Sequence, residues 1–222
     1  MTKKFTVKDM VLCALLAAMT GILSQIGIPI GEIPINLALF SVYLAGGLLG
    51  SYKGAVSMVV YVMMGAVGLP VFSNFRGGLS VLAGPTGGYI LGYLFAALVV
   101  GMVSTYWGDA FWKMAIGMTG GLALCYLFGT IWFVLLTGKG LAAALSACVI
   151  PFLPGDAVKI ISAAILVPEL KKQSIFPENM DWLKRRLKFV KRLVLNGHFK
   201  DLRQAFCLSQ IFYTENHVVI FD

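Results

Sequence analysis

Apolar runs of bilayer-spanning or near-spanning length follow one another from Asp9 to Val167, separated by short polar or Gly/Pro-rich breaks. A helix needs about 20 apolar residues to cross the hydrocarbon core. The runs place six helices, approximately Asp9 to Ile28, Leu37 to Leu49, Gly54 to Leu69, Gly87 to Val103, Phe111 to Thr137 and Leu141 to Val167. The second and third are short, so they either pack obliquely or, for the second, stop before crossing. Hydrophobic residues make up 59% of the 222 and charged ones 13%, against about 45–50% and 25% in soluble domains. The expectation is an all-α polytopic membrane bundle over residues 1–172, with a Gly/Pro-rich loop between helices 3 and 4.

Within the last run stand Asp156 and Lys159, opposite charges three residues apart. A charge at the bilayer centre costs about 2.5–3.5 kcal/mol on insertion scales, so such residues face a pocket or a partner and are read as functional. Pro151, Pro154 and Gly155 interrupt the run just before them. A new helical segment therefore begins near Pro154 to Gly155, with both charges on one face at i and i+3. The alternative is a structural ion pair that neutralises itself. Broken helices beside charged residues are also how transporters build substrate sites.

Charge elsewhere sits in the connections. Up to Lys172 there are ten Lys and Arg against five Asp and Glu, and from Gln173 onward eight against five. No basic stripe interleaved with aromatics occurs in the apolar part, which argues against nucleic-acid binding. Lys3, Lys4 and Lys8 precede an apolar stretch too long for a typical signal peptide, so it is kept as the first helix. With six crossings, Lys3, Lys4, Lys8, Lys53, Lys113, Lys171 and Lys172 share one side, and Arg76 and Lys139 the other. The positive-inside rule then puts both ends of the bundle in the cytoplasm. Cys13, Cys125, Cys148 and Cys207 stand singly without metal-ligand spacing, and read as buried thiols or, for Cys207, a tail residue.

Glycines fall into two uses. Gly46, Gly47 and Gly50, like Gly117, Gly120 and Gly121, are spaced to let helices approach closely. The segment Ser73 to Tyr89 is too apolar for a free loop and too rich in Gly and Pro for a continuous helix. Such a segment enters a bundle only where its backbone lines a cavity or is buried in protein, making it a pocket wall or lid. Gly84-Pro85-Thr86-Gly87-Gly88 would present backbone N–H groups at the start of the fourth helix, where an anionic group is favoured; the alternative is a plain tight turn. Asn74 and Arg76 lie next to it.

The run Gly77-Gly78-Leu-Ser-Val-Leu-Ala-Gly84-Pro85-Thr86-Gly87-Gly88-Tyr89, followed by Pro151-Phe-Leu-Pro154-Gly155-Asp156-Ala-Val-Lys159, resembles the BioY family, the biotin-binding S components of energy-coupling-factor transporters. The likeness extends from about Lys8 to Lys172. It implies a six-helix, multi-pass protein of the cell membrane that captures biotin from outside. It also implies partners: a transmembrane coupling subunit and two cytoplasmic ATPases. No cofactor is implied, since biotin is the transported ligand and the partners hydrolyse ATP. This chain has no G-x-x-x-x-G-K-[ST] phosphate loop of its own. Ala14 and Ala18, at i and i+4 in the first helix, match the small-residue motif by which S components dock on the coupling subunit.

Biotin offers two ureido N–H donors, a carbonyl acceptor, an apolar bicycle and a valerate carboxylate. An ionised Asp only accepts and a Lys only donates. The expectation is that Asp156 receives a ureido N–H, Asn74 completes ring recognition and Lys159 supplies positive charge. Gly84, Gly87 and Gly88 would let backbone approach the ligand, with Tyr89 and Phe75 as apolar cover. Family members can carry a basic residue just after GPTGG that pairs with the valerate, whereas here Tyr89 occupies that position, leaving Arg76 as another cation nearby.

The resemblance stops at residues 173–222. There Leu183, Leu187, Val190 and Val194 recur at helical spacing beside Lys184, Arg185, Lys188, Lys191 and Arg192, a basic amphipathic helix suited to anionic membrane lipid. A helix packed on a partner and a poorly ordered extension are the alternatives. His198 and His217 show no catalytic constellation. Two other functional classes stay open: an S component for another vitamin, such as thiamin or riboflavin, and an intramembrane enzyme using Asp156 as acid or base with Lys159 tuning it.

Overall fold

The computed structural model describes residues 5–28 and 34–172. The expected amphipathic helix, His198, His217 and Cys207 lie outside the described residues. Among those described, the helices are α1 (Val7–Gln25), α2 (Ala38–Ala66), α3 (Leu79–Leu82), α4 (Gly87–Tyr106), α5 (Phe111–Thr137), α6 (Leu141–Cys148) and α7 (Leu153–Lys172). A two-stranded hairpin, β1 (Gly27–Ile28) with β2 (Ile35–Asn36), bridges α1 and α2, a small departure from an all-α expectation.

Thr6 and Asp9 form a reciprocal capping box at the start of α1, satisfying two orphan N–H groups of the first turn. Asp9 Oδ1 also accepts from Lys53 Nζ at 2.6 Å, tying α1 to α2.

α2 is two helical stretches that meet at Gly50, whose φ of 80° and ψ of 179° fall in a region that is essentially Gly-only. The chain reverses there. A Cβ built on Gly54 would lie 2.9 Å from Gly46 Cα, whereas eight residues of continuous helix span about 12 Å. Side-chain contacts with α1 give the same directions. Lys53 meets Asp9 and Ser57 Oγ donates to Cys13 O (2.8 Å), so residues 51–66 ascend beside α1. Ser41 lies at the far end, 2.9 Å from Thr20 Oγ1, so residues 38–49 descend.

The two short helices read from the sequence are thus the arms of one hairpin, and six passes arise from five apolar runs of spanning length. Of the glycines read as packing residues, Gly46, Gly47, Gly117 and Gly121 lie against neighbouring helices. Gly120 makes only an ordinary contact with Val99 at 3.7 Å, and Gly50 serves the turn instead.

The last run is broken as its prolines require. α6 ends at Cys148, a 3-10 turn covers Ile150–Phe152, and α7 starts at Leu153 with Asp156 in its first turn. α7 packs on α2 and α5. At its far end Lys171 Nζ meets Asp109 Oδ1 and Ser104 Oγ, each at 2.7 Å, while Ser104 Oγ donates to Gly47 O at 2.8 Å. The foot of the bundle is therefore closed by the Asp9–Lys53 and Asp109–Lys171 pairs. Lys53, Lys113, Lys171 and Lys172 fall at this foot; Arg76 and Lys139 fall in the connections at the head, with the β-hairpin and the α6–α7 break.

The Gly/Pro-rich connection from α2 to α4 folds as a 3-10 turn (Ser73–Phe75) and the short α3, held by a Phe72–Arg76 bridge. Phe72 is buried in the space left by Gly65, where an added Cβ would come 2.0 Å from its ring. Gln25 at the end of α1 donates to Phe72 O (3.0 Å) and accepts from Phe75 N–H (2.8 Å). The connection is consequently anchored on the heads of α1 and α2.

Candidate functional site

Near the head, all the long elements except α1 converge on a cavity of about 50 Å³. Its walls are Asn36 and Leu39 at the start of α2, Tyr89 and Tyr93 of α4, Tyr126 of α5, and Phe152, Asp156 and Lys159 around the start of α7.

Asp156 and Lys159 are 2% and 6% exposed. Asp156 Oδ1 accepts from Lys159 Nζ at 2.7 Å, and Oδ2 accepts from the Tyr126 hydroxyl. Two charges taken out of water are tolerated only when paired and hydrogen-bonded, and both conditions hold here. The charges are paired, but their hydrogen-bonding capacity is not exhausted. A carboxylate has about four lone-pair sites, and the bond to Asp156 uses one of the three Lys N–H groups. The site therefore sets acceptor and donor side by side in an aromatic wall. Such a surface reads a planar group carrying adjacent N–H and C=O.

Of the residues singled out from the sequence, Asp156, Lys159 and Tyr89 come together here. The Tyr89 ring occupies the space left by Gly129, where a Cβ would sit 2.3 Å from Cδ1, and its hydroxyl lies 3.2 Å from Thr130 Oγ1. The preceding glycines do different work. Gly84 O accepts from Trp132 Nε1 at 3.0 Å, and a Cβ on Gly88 would lie 2.3 Å from Trp132 Cβ. One on Gly87 would lie 1.7 Å from Leu82 O. The N–H groups of Gly87 and Tyr89 are taken by Gly84 O and Thr86 O, so they do not point at a ligand. In this conformation GPTGG is a tight turn clamped to α5, and of the segment Ser73 to Tyr89 only Tyr89 lines the cavity.

Asn74 is exposed, in the left-handed region (φ 61°), and Phe75 and Arg76 are also exposed. The amide that does line the cavity is Asn36, whose Nδ2 donates to Ser73 Oγ and whose Oδ1 accepts from Ala38 N. Sequence reasoning missed Asn36, Tyr93 and Tyr126. Tyr126 carries a signal, a hydroxyl inside an otherwise apolar run; Asn36 carries only its place before a helix. Ala14 and Ala18 are exposed on the outer face of α1.

A model of the BioY family matches residues 1–175. The chain is 35% identical over 169 residues to the biotin transporter BioY of Thermotoga maritima, covering 76% of this chain and 98% of that protein. It is 34% identical to the biotin transporter BioY of Rhizobium etli, covering 72% and 90% respectively. Among solved structures, a crystal structure of the S-component for biotin from an ECF-type ABC transporter matches with a TM-score of 0.72 and 30% identity. The match covers 78% of this chain and 96% of that one. Fold, motif order and relatives agree: the chain belongs to the BioY family.

Proposed function

We propose that this multi-pass membrane protein is a biotin-capturing S component, and that the Asp156–Lys159–Tyr126 cluster is where biotin is held. The observation that supports this reading is the buried, mutually paired acid and base beside an aromatic cavity at one end of the bundle. The two charged groups sit 2.7 Å apart, so they meet the same end of a ligand. Biotin's ureido ring fits: Asp156 accepts an N–H and Lys159 donates to the carbonyl oxygen. The valerate, carried away from that ring by the thiophane and its methylene chain, points toward the mouth. Pockets for ligands of this size run to about 300 Å³ or more, so the cavity widens as biotin enters.

The family is one of transporters, which sets the enzyme reading aside. For the assembly, the exposed Ala14 and Ala18 let another helix come close to α1, in keeping with docking on a transmembrane coupling subunit powered by two ATPases. The charge distribution favours the foot of the bundle, with the N-terminus and the end of α7, facing the cytoplasm. Equilibrium binding of labelled biotin to the purified chain tests the ligand. Saturable binding displaced by biotin and unaffected by thiamin or riboflavin is expected; displacement by either of those would refute it.

A further inference from the structure

Among the described residues, Tyr43 Oη is the buried side-chain polar atom that has no hydrogen-bond partner. Its side chain is fully enclosed, at 0% exposure. A buried hydroxyl left unmade costs about 1–3 kcal/mol, so the position calls for an explanation. Tyr43 stands four residues beyond Leu39, on the same face of α2 and about 6 Å deeper along the axis. Leu39 lines the cavity and Tyr43 does not, so Tyr43 stands one helical turn below the lining. The polar groups within electrostatic range of its phenol are those of the site: Asp156, Tyr126, Cys125 and Tyr93.

We infer that Tyr43 is a specificity-determining residue of the ligand site, whose hydroxyl donates to the carbonyl oxygen of the ureido ring when the cavity widens to admit it. The inference rests on the functional reading above. A carbonyl oxygen has two lone pairs, so Lys159 and Tyr43 donate to it together while Asp156 accepts from the adjacent N–H. In the closed form the hydroxyl is held ready without a partner, and the ligand supplies the missing acceptor.

The test is Tyr43→Phe in the full chain, which removes one oxygen atom and little volume. Labelled-biotin binding is measured for the purified variant and for its parent. The expected result is a fall in biotin affinity of about 5- to 100-fold. The thermal midpoint of the unliganded variant stays equal or rises, because the removed group had no partner. Equal biotin affinity in variant and parent, or a lowered unliganded midpoint, overturns the inference. Failure of the parent chain to bind biotin overturns the functional reading along with it, whereas binding by the parent with no loss in the variant overturns this inference alone.

Discussion

Replacing Asp156 separates the two jobs its carboxylate does. Asp156→Asn keeps the shape but removes the negative charge, leaving the Lys159 cation buried with no counter-charge. Breaking one partner of a buried pair costs about 3–5 kcal/mol of stability. The ligand loses a hydrogen bond to a charged acceptor, about 1.5–3 kcal/mol, which is about a 10- to 150-fold rise in Kd. Stability and binding would fall together, so the single variant does not tell which effect came first. The double variant Asp156→Asn with Lys159→Met does. It removes both charges, and exchanging a buried pair for apolar atoms is often neutral or stabilising by about 1–4 kcal/mol. Thermal unfolding in detergent should therefore recover to near the parent value, while labelled-biotin binding remains weakened by at least the single-variant factor. A stable double variant that binds biotin like the parent would show that the pair is structural and the ligand lies elsewhere.

Three other perturbations probe the frame around the site. Gly50→Ala forces a side chain into the φ 80°, ψ 179° turn of α2, and a loss of about 1–3 kcal/mol is expected in unfolding measurements; an unchanged midpoint would show that the hairpin turn tolerates an ordinary residue. Gly129→Ala drives a methyl group into the Tyr89 ring, so biotin affinity should drop more than in Gly120→Ala, whose new Cβ meets only Val99 at 3.7 Å. Ala14→Leu with Ala18→Leu, on the exposed face of α1, should leave biotin binding intact and abolish copurification with the coupling subunit; retained copurification would move the docking surface off α1.

The parts of this protein that were legible in its sequence are those governed by desolvation and by backbone chemistry. Apolar runs marked the passes, and Pro151 and Pro154 marked the break before α7, because a proline without an N–H leaves a carbonyl unpaired that lipid cannot satisfy. Asp156 and Lys159 stood out for the same reason. What stayed hidden depends on three-dimensional proximity. By spacing Gly50 is one more close-packing glycine, since spacing alone does not reveal a backbone turn at positive φ. Asn36 and Tyr93 reach the cavity only because the β-hairpin and α4 converge on α7. The glycines of GPTGG looked like a ligand cradle, yet their missing side chains make room for Leu82 and Trp132. Asn74 belongs to the same connecting segment, yet its side chain stands exposed, outside the cavity wall.

The central claim is that the buried acid–base pair exists to hold a vitamin's ureido ring. A crystal structure of the chain with biotin bound tests it most directly. The expected result is a ureido nitrogen within hydrogen-bond distance of an Asp156 carboxylate oxygen and the ureido oxygen facing Lys159 Nζ. Biotin seated elsewhere, with Asp156 and Lys159 still closed on each other, would contradict it.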